Sequence, residues 1–89
     1  MKYVVFYETA DGAMPLARQH FPAHKLRLDA FHARGTLLMV GTWANPQEGA
    51  MAVFTSRDDA EEFVKDDPFV LNGVVSRWEI REWNEILAP

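Results

Sequence analysis

The sequence predicts a single α+β domain over residues 1–89, in which two helices cover one face of a four-stranded antiparallel sheet. Three observations predict this class. The 89 residues are the length of one domain and leave no room for a second. Four runs rich in β-branched and aromatic residues are interspersed with two stretches of helical periodicity. Turn-forming Gly, Pro and Asn residues separate these segments. Together they indicate the order βαββαβ.

The first part of the chain predicts a strand, a loop and a helix. Residues 2–8 are apolar on both alternations, as in a strand that is covered on both faces. Residues 9–20, interrupted by Met14-Pro15, are predicted to form a loop or lid. A helix is predicted from Pro22 to Ala33, because proline suits a first helical turn.

One side of this first helix is expected to be buried. His24, Leu28 and Phe31 follow one another at i, i+4 and i+7, which places them on one line along the helix. His24 would therefore lie in the first turn and face the interior.

The rest of the chain predicts two strands, a second helix and a last strand. Ser56 is a helix N-cap by type, and Pro68 ends the helix because the residue before a proline avoids the α region. Asp67 falls on the same side of this helix as its apolar stripe. The strands are expected at Thr36–Gly41, Gly49–Thr55 and Val74–Trp83, followed by a tail, Asn84–Pro89.

This order of elements is the ferredoxin-like pattern, with both helices on one face of the sheet. Following the direction of the chain, the start of the first helix and the end of the second lie at the same end of the molecule. His24 and Asp67 are thereby brought to one rim, where loops 8–20, 42–49 and 68–73 also emerge. A site, if the chain has one, is expected there.

Two interpretations of a His24–Asp67 pair remain open at this point. A carboxylate that accepts the ring N–H fixes the imidazole tautomer, and this is how a general base is oriented. The same hydrogen bond can simply join two helix ends. In both cases a helix N-terminus at His24 and a helix C-terminus at Asp67 would disfavour the charged forms, and pairing would relieve both.

Composition excludes several classes of function. The net charge of −4 argues against nucleic acid and anionic membranes as partners. Without cysteine, neither a disulfide nor a thiolate zinc site can hold the fold. No apolar run reaches the roughly 20 residues of a membrane span, and the chain opens directly on a strand, so a cytoplasmic protein is expected. Eleven aromatic residues exceed what so small a core needs, which predicts a homodimer.

Further candidates for ligand contact lie near the same rim. Tyr7 ends the first strand and can hydrogen-bond a ligand. Trp43 follows the second strand and either lines the cleft or covers a dimer interface. His20 and His24 have the His-x-x-x-His spacing of metal ligands, but no third ligand is secure, so neither a metal nor another cofactor is expected.

Several segments resemble the YCII-related family of small dimeric α+β proteins. The matching segments are Pro22-Ala23-His24, Gly35-Thr36-Leu37-Leu38, Asp67-Pro68-Phe69 and Gly73-Val74. The resemblance implies dimerisation through the sheets into an α/β barrel, a cleft that holds His24 and Asp67, and, in one branch, dehydrochlorination of a hydroxyquinone. Many members carry a basic residue at the position of Phe21, for which Arg18 is the substitute available in this chain.

Three hypotheses for function follow. The first is a cofactor-free enzyme of lyase or isomerase type, in which His24 moves a proton on a small aromatic or enolisable substrate and Asp67 orients it. The second is a non-catalytic small-molecule binder that uses the same cleft. The third is a structural dimerisation module.

Overall fold

The computed structural model describes residues 1–89 and confirms the order βαββαβ. The four strands form one antiparallel sheet in the spatial order β2-β3-β1-β4, with the helices packed on one face. The elements are β1 (Lys2–Thr9), α1 (Met14–Ala33), β2 (Leu37–Thr42), a short 3-10 helix (Pro46–Glu48), β3 (Ala50–Phe54), α2 (Arg57–Lys65), α3 (Pro68–Leu71) and β4 (Val75–Trp83).

The core lies between the helices and the sheet. Three phenylalanines at its centre, Phe31 of α1, Phe54 of β3 and Phe63 of α2, have ring centroids 5.2–6.3 Å apart. Val5 and Tyr7 of β1 belong to the same cluster. The predicted buried line of the first helix is confirmed, because its three buried residues are His24, Leu28 and Phe31.

The first helix is longer than the sequence analysis predicted. It begins at Met14, so the segment 9–20 is not a loop over most of its length, and Pro22 lies inside the helix. Pro15 occupies the first turn, where the missing N–H costs no hydrogen bond. Inside the helix, Pro22 removes one hydrogen bond, to the carbonyl of Arg18. The helix nevertheless continues to Ala33.

A third helix, α3, follows α2 directly and was not predicted. Asp67 is its N-cap and accepts a hydrogen bond from the backbone N–H of Phe69 at 3.1 Å. Pro68 occupies the first turn, which its fixed φ favours. The proline thus ends α2 as expected, but it also starts a new helical turn that carries Phe69 back towards α1.

The other face of the sheet has no helix on it. Directly paired residues share a face, and the pairs Phe6–Met51 and Val4–Val53 alternate along β1 and β3 with the core residues. Met39 of β2 pairs with Val53 and is 62% exposed. Val4 and Val53 are nevertheless buried, at 4% and 5% exposure. We call the other three residues, Phe6, Met39 and Met51, the open face. None of the helices combines the length and apolarity that crossing a bilayer demands.

Candidate functional site

A cavity of about 460 Å³ lies between α1 and the sheet. Its lining is mostly hydrophobic, 14 of 22 residues, and comes from α1, the first three strands and the segment around α3. Met14, Phe21 and Leu28 contribute from α1, and Val40 and Ala52 from the sheet. A volume of this size is within the usual range of roughly 300–1,000 Å³ for small-molecule sites.

A hydrogen-bonded group of three side chains stands at one end of this cavity. The Nδ1 atom of His24 lies 2.6 Å from Oδ1 of Asp67, and the hydroxyl of Tyr7 donates to Oδ2 of Asp67 at 2.7 Å. His24 and Tyr7 line the cavity, whereas Asp67 is fully buried behind them. Since the backbone N–H of Phe69 also donates to Oδ1, three donors converge on one carboxyl group.

This arrangement assigns the donor and acceptor roles. A carboxylate only accepts hydrogen bonds, and Asp67 satisfies both of its oxygens by accepting from His24, Tyr7 and the N–H of Phe69. His24 therefore carries its hydrogen on Nδ1, and Nε2 is the nitrogen left with a free lone pair. A carboxylate that fixes the tautomer of a histidine in this way is the usual support of a general base.

Aromatic rings hold the imidazole of His24 in place. Phe69 stacks on it almost in parallel, with centroids 3.7 Å apart and planes inclined by 6°. Phe63 approaches it edge-on at 6.2 Å, and Phe21 lies at 6.3 Å. With Asp67 fixing one nitrogen and Phe69 covering one face, the ring has little freedom to rotate.

Tyr7 is locked as a hydrogen-bond donor. Burial of its hydroxyl and the negative charge of Asp67 beside it raise the pKa of Tyr7 far above its ordinary value of 10.0. The phenol therefore stays protonated at any physiological pH and continues to donate its hydrogen bond to Asp67. Tyr7 was expected to contact a ligand, but its hydroxyl donates its one hydrogen to Asp67.

Neither His24 nor Asp67 occupies the helix end that was predicted for it. His24 lies in the middle of α1, ten residues after Met14, so the dipole at the N-terminus of α1 does not act on it. Asp67 is the N-cap of α3, where a carboxylate is favoured, and Asp66 rather than Asp67 is the C-cap of α2. The predicted proximity of His24 and Asp67 is nevertheless confirmed, because it depends on the order of elements and on which side of each helix is buried.

The remaining candidates divide into two groups. Arg18 lines the cavity and is exposed, so it lies where the cavity meets solvent. His20 and Trp43 are not among the lining residues, and Trp43 is 46% exposed. The geometry gives these two no contact with a ligand in the cavity. No group of three or more His, Cys, Asp or Glu residues has the arrangement of a metal site.

Sequence reasoning missed Phe69 and the first turns of α1 as parts of the site. Met14, Ala17 and Phe21 continue the spacing of three and four residues that leads on to His24 and Leu28. That periodicity was a readable signal, and the two prolines in the segment outweighed it. For Phe69 the signal was Asp-Pro, an N-cap followed by a first-turn proline.

Comparisons with known proteins agree with this architecture. The 5-chloro-2-hydroxyhydroquinone dehydrochlorinase TftG from Burkholderia phenoliruptrix AC1100, in complex with 2,5-dihydroxybenzoquinone, matches with a TM-score of 0.76 and 19% identity over 94% of each chain. Protein Atu4242 from Agrobacterium tumefaciens matches with a TM-score of 0.60 and 13% identity, over 100% of this chain and 98% of that one. At such identities the likeness shows the fold.

The sequence-level comparisons give a family. No curated protein matches the chain. The family model of the YCII-related domain matches residues 1–84, nearly the whole sequence and all of the site. The chain therefore belongs to the YCII-related domain family.

Proposed function

We propose that the protein is a cofactor-free enzyme that performs general acid/base chemistry, of lyase or isomerase type, on a small aromatic or enolisable molecule. The observation that carries this proposal is the His24–Asp67 hydrogen bond of 2.6 Å at the end of an apolar cavity. A single oriented base is sufficient for proton abstraction next to a carbonyl or for elimination.

In this proposal His24 is the catalytic residue. Its Nε2 atom takes a proton from a C–H or O–H group of the substrate, and the electron pair of that bond moves into the ring or carbonyl system or expels a leaving group. The imidazolium that forms continues to donate its Nδ1–H to Asp67, and the negative charge of Asp67 stabilises it. Asp67 and Tyr7 act through His24, so they are positioning residues.

The lining of the cavity supports an aromatic substrate. Most of its walls are aliphatic and aromatic side chains, which bind planar apolar rings by burial and stacking, and its charged side chains are those of Arg18 and Lys25. TftG, which has the same fold, is a dehydrochlorinase and binds 2,5-dihydroxybenzoquinone in its structure. Hydroxylated quinones and chlorinated hydroquinones are therefore the first compounds to test.

The second candidate function is ligand binding without turnover. The observation that favours it is that His24 is only 7% exposed, with one ring face covered by Phe69. A carrier or sensor needs the cavity and has no need of an accessible Nε2. The two functions predict different results for the variant His24→Gln.

We further propose that the protein is a homodimer assembled through the open face. Phe6, Met39 and Met51 on that face are covered by no helix of this chain, and Met39 is 62% exposed. A second copy of the sheet is the partner that buries such a surface symmetrically. The family of the chain supports the same arrangement.

The decisive experiment for the enzymatic function compares His24→Gln with the wild type on a panel of hydroxyquinones and chlorinated hydroquinones. If His24 is the base, turnover falls by about 10²- to 10⁴-fold, while ligand affinity changes only a few-fold. His32→Gln is the matched control, because His32 is exposed on the same helix and outside the cavity. Binding that His24→Gln weakens, without turnover by the wild type, would favour the carrier. Unchanged turnover in His24→Gln would refute the proposal.

A further inference from the structure

The ionisable residues that line the cavity are unusual for this chain. The sequence has 13 acidic and 9 basic residues, yet no Asp or Glu is among the 22 lining residues. Arg18, Lys25 and His24 are the basic residues that line it. The formal charges on the lining itself are therefore positive, and the nearest negative charge is that of Asp67, buried behind His24 and Tyr7. The exposed guanidinium of Arg18 is the part of this lining that attracts anions.

Arg18 is the cation in this lining that has no partner in the protein. Lys25 forms an ion pair with Asp29 at 2.6 Å, whereas Arg18 is in none of the ion pairs of the structure. Two other arginines, in or next to α1, have partners within the protein. Arg27 donates to the carbonyls of Glu62 and Phe63. The guanidinium of Arg34 lies 3.9 Å from the ring centroid of Phe31. The guanidinium of Arg18 is free to bind a ligand.

The spacing of Arg18 and His24 suits a substituted ring. They are six residues apart on α1, which corresponds to about 9 Å along the helix axis at 1.5 Å per residue. Phe21, half-way between them, lines the cavity and is 49% exposed. At 3.6 residues per turn, Arg18 and His24 leave the helix roughly 120° apart, on either side of Phe21. A planar ring that lies against Phe21 would then have the base on one side and the cation on the other.

We propose that Arg18 is a specificity-determining residue that selects aromatic or quinonoid anions, binding a carboxylate or an ionised enol oxygen while the opposite edge of the ring meets His24. This inference rests on the proposed function for the cavity and narrows its substrate class. Guanidinium groups match such oxygens well, because two N–H groups can donate to them at once.

The test measures binding of two probes that have the same ring and nearly the same shape but differ in charge. These are 2,5-dihydroxybenzoate and 2,5-dihydroxybenzamide, titrated by calorimetry into the wild type, Arg18→Gln and Lys65→Gln. Lys65 is exposed at the end of α2 and outside the cavity, so its variant removes the same charge without touching the site. A third probe, 2,5-dihydroxybenzoquinone, distinguishes an enol oxygen from a carboxylate as the preferred anion.

We expect the wild type and Lys65→Gln to bind the benzoate about tenfold more tightly than the benzamide, the contribution of one partly exposed charge-assisted hydrogen bond. Arg18→Gln should lose this preference and bind the benzamide as the wild type does. The benzoate affinity, but not the benzamide affinity, should weaken as salt is added, because salt screens exposed charges.

The outcomes separate this inference from the proposed function. If the wild type binds both probes equally well, selection by charge is refuted, while ring binding in the cavity still supports the proposed function. A preference for the benzoate that persists in Arg18→Gln would assign the selection to another residue and overturn the role of Arg18. If none of the three probes binds at millimolar concentration, both proposals fall.

Discussion

Asp67 is fully buried, and three donors from three different elements converge on it. An ionised carboxyl group with no exposure is costly unless its hydrogen bonds are complete. The hydroxyl of Tyr7 is the donor to Oδ2, so its removal leaves that oxygen without a partner. The carboxylate that orients His24 is therefore stabilised in part by Tyr7 of β1.

Tyr7→Phe should lower the free energy of unfolding by about 1–3 kcal/mol, the usual cost of leaving a buried polar atom unsatisfied. Urea denaturation followed by circular dichroism measures this. Tyr3→Phe is the matched control, because the Tyr3 hydroxyl donates only to the sulfur of Met1 in an exposed position and should lose little. Equal losses in the two variants would show that the Tyr7–Asp67 hydrogen bond contributes nothing specific.

The same tyrosine gives the protein a pH dependence. Because the folded state raises the pKa of Tyr7 above its ordinary 10.0, the unfolded chain loses this proton first. The stabilisation by protonated Tyr7 is thus complete below pH 10.0 and declines as the pH rises above that value. At alkaline pH values at which the protein is still folded, the wild type and Tyr7→Phe should show the same tyrosinate absorbance, because Tyr7 of the folded wild type keeps its proton. A larger signal in the wild type would contradict the assignment.

At the level of elements, β2, β3 and α2 lie close to their predicted positions, and the errors are confined to segments that contain proline. A proline interrupts local hydrogen bonding and was therefore interpreted as a boundary, at Met14-Pro15 and at Pro22. In the folded protein the helix runs through Pro22, and the side chains from Met14 and Ala17 to the buried His24 and Leu28 face the cavity and the core from one side of it. Such packing is a tertiary effect, and local propensity does not contain it.

The residue just before strand β3 stands at a position that only glycine tolerates. Gly49 has a φ of +119°, and a Cβ added there would overlap the carbonyl group of Tyr7 in β1. Gly49→Ala should lower the free energy of unfolding by roughly 2–5 kcal/mol, from backbone strain and overpacking together. Gly41→Ala is the control, since a Cβ at Gly41 meets no atom within 4 Å. Thermal melting of both variants measures the difference, and equal melting temperatures would contradict the prediction.

For the whole molecule, the direction of the chain determines which residues meet. His24 and Asp67 are 43 positions apart, and the order of elements with the buried side of each helix was enough to predict that they lie together. Tyr7, the third member of the group, was predicted to lie near the rim, but its hydrogen bond to Asp67 was not predicted. A sequence does not show which acceptor a hydroxyl will bind. The cavity itself depends on the shape of packed side chains, and no periodicity describes that shape.

Assembly through the open face predicts a dimer mass by light scattering at micromolar concentration. Met39→Glu should shift that mass towards the monomer, because it places a charge in an apolar interface. Leu26→Glu is the matched control: Leu26 is 72% exposed, on the outer side of α1 away from the open face, and should leave the mass unchanged. A monomer mass for the wild type would refute the proposed homodimer.

The burial of Asp67 behind His24 and Tyr7 separates two kinds of evolutionary change. Residues such as Val40 and Ala52 line the cavity and make no hydrogen bond to the carboxyl group. Substitutions among them alter which molecules fit and leave the orientation of the imidazole unchanged. Related proteins can therefore acquire new ligands through single substitutions in the lining of the cavity, while the hydrogen bond between His24 and Asp67 is retained.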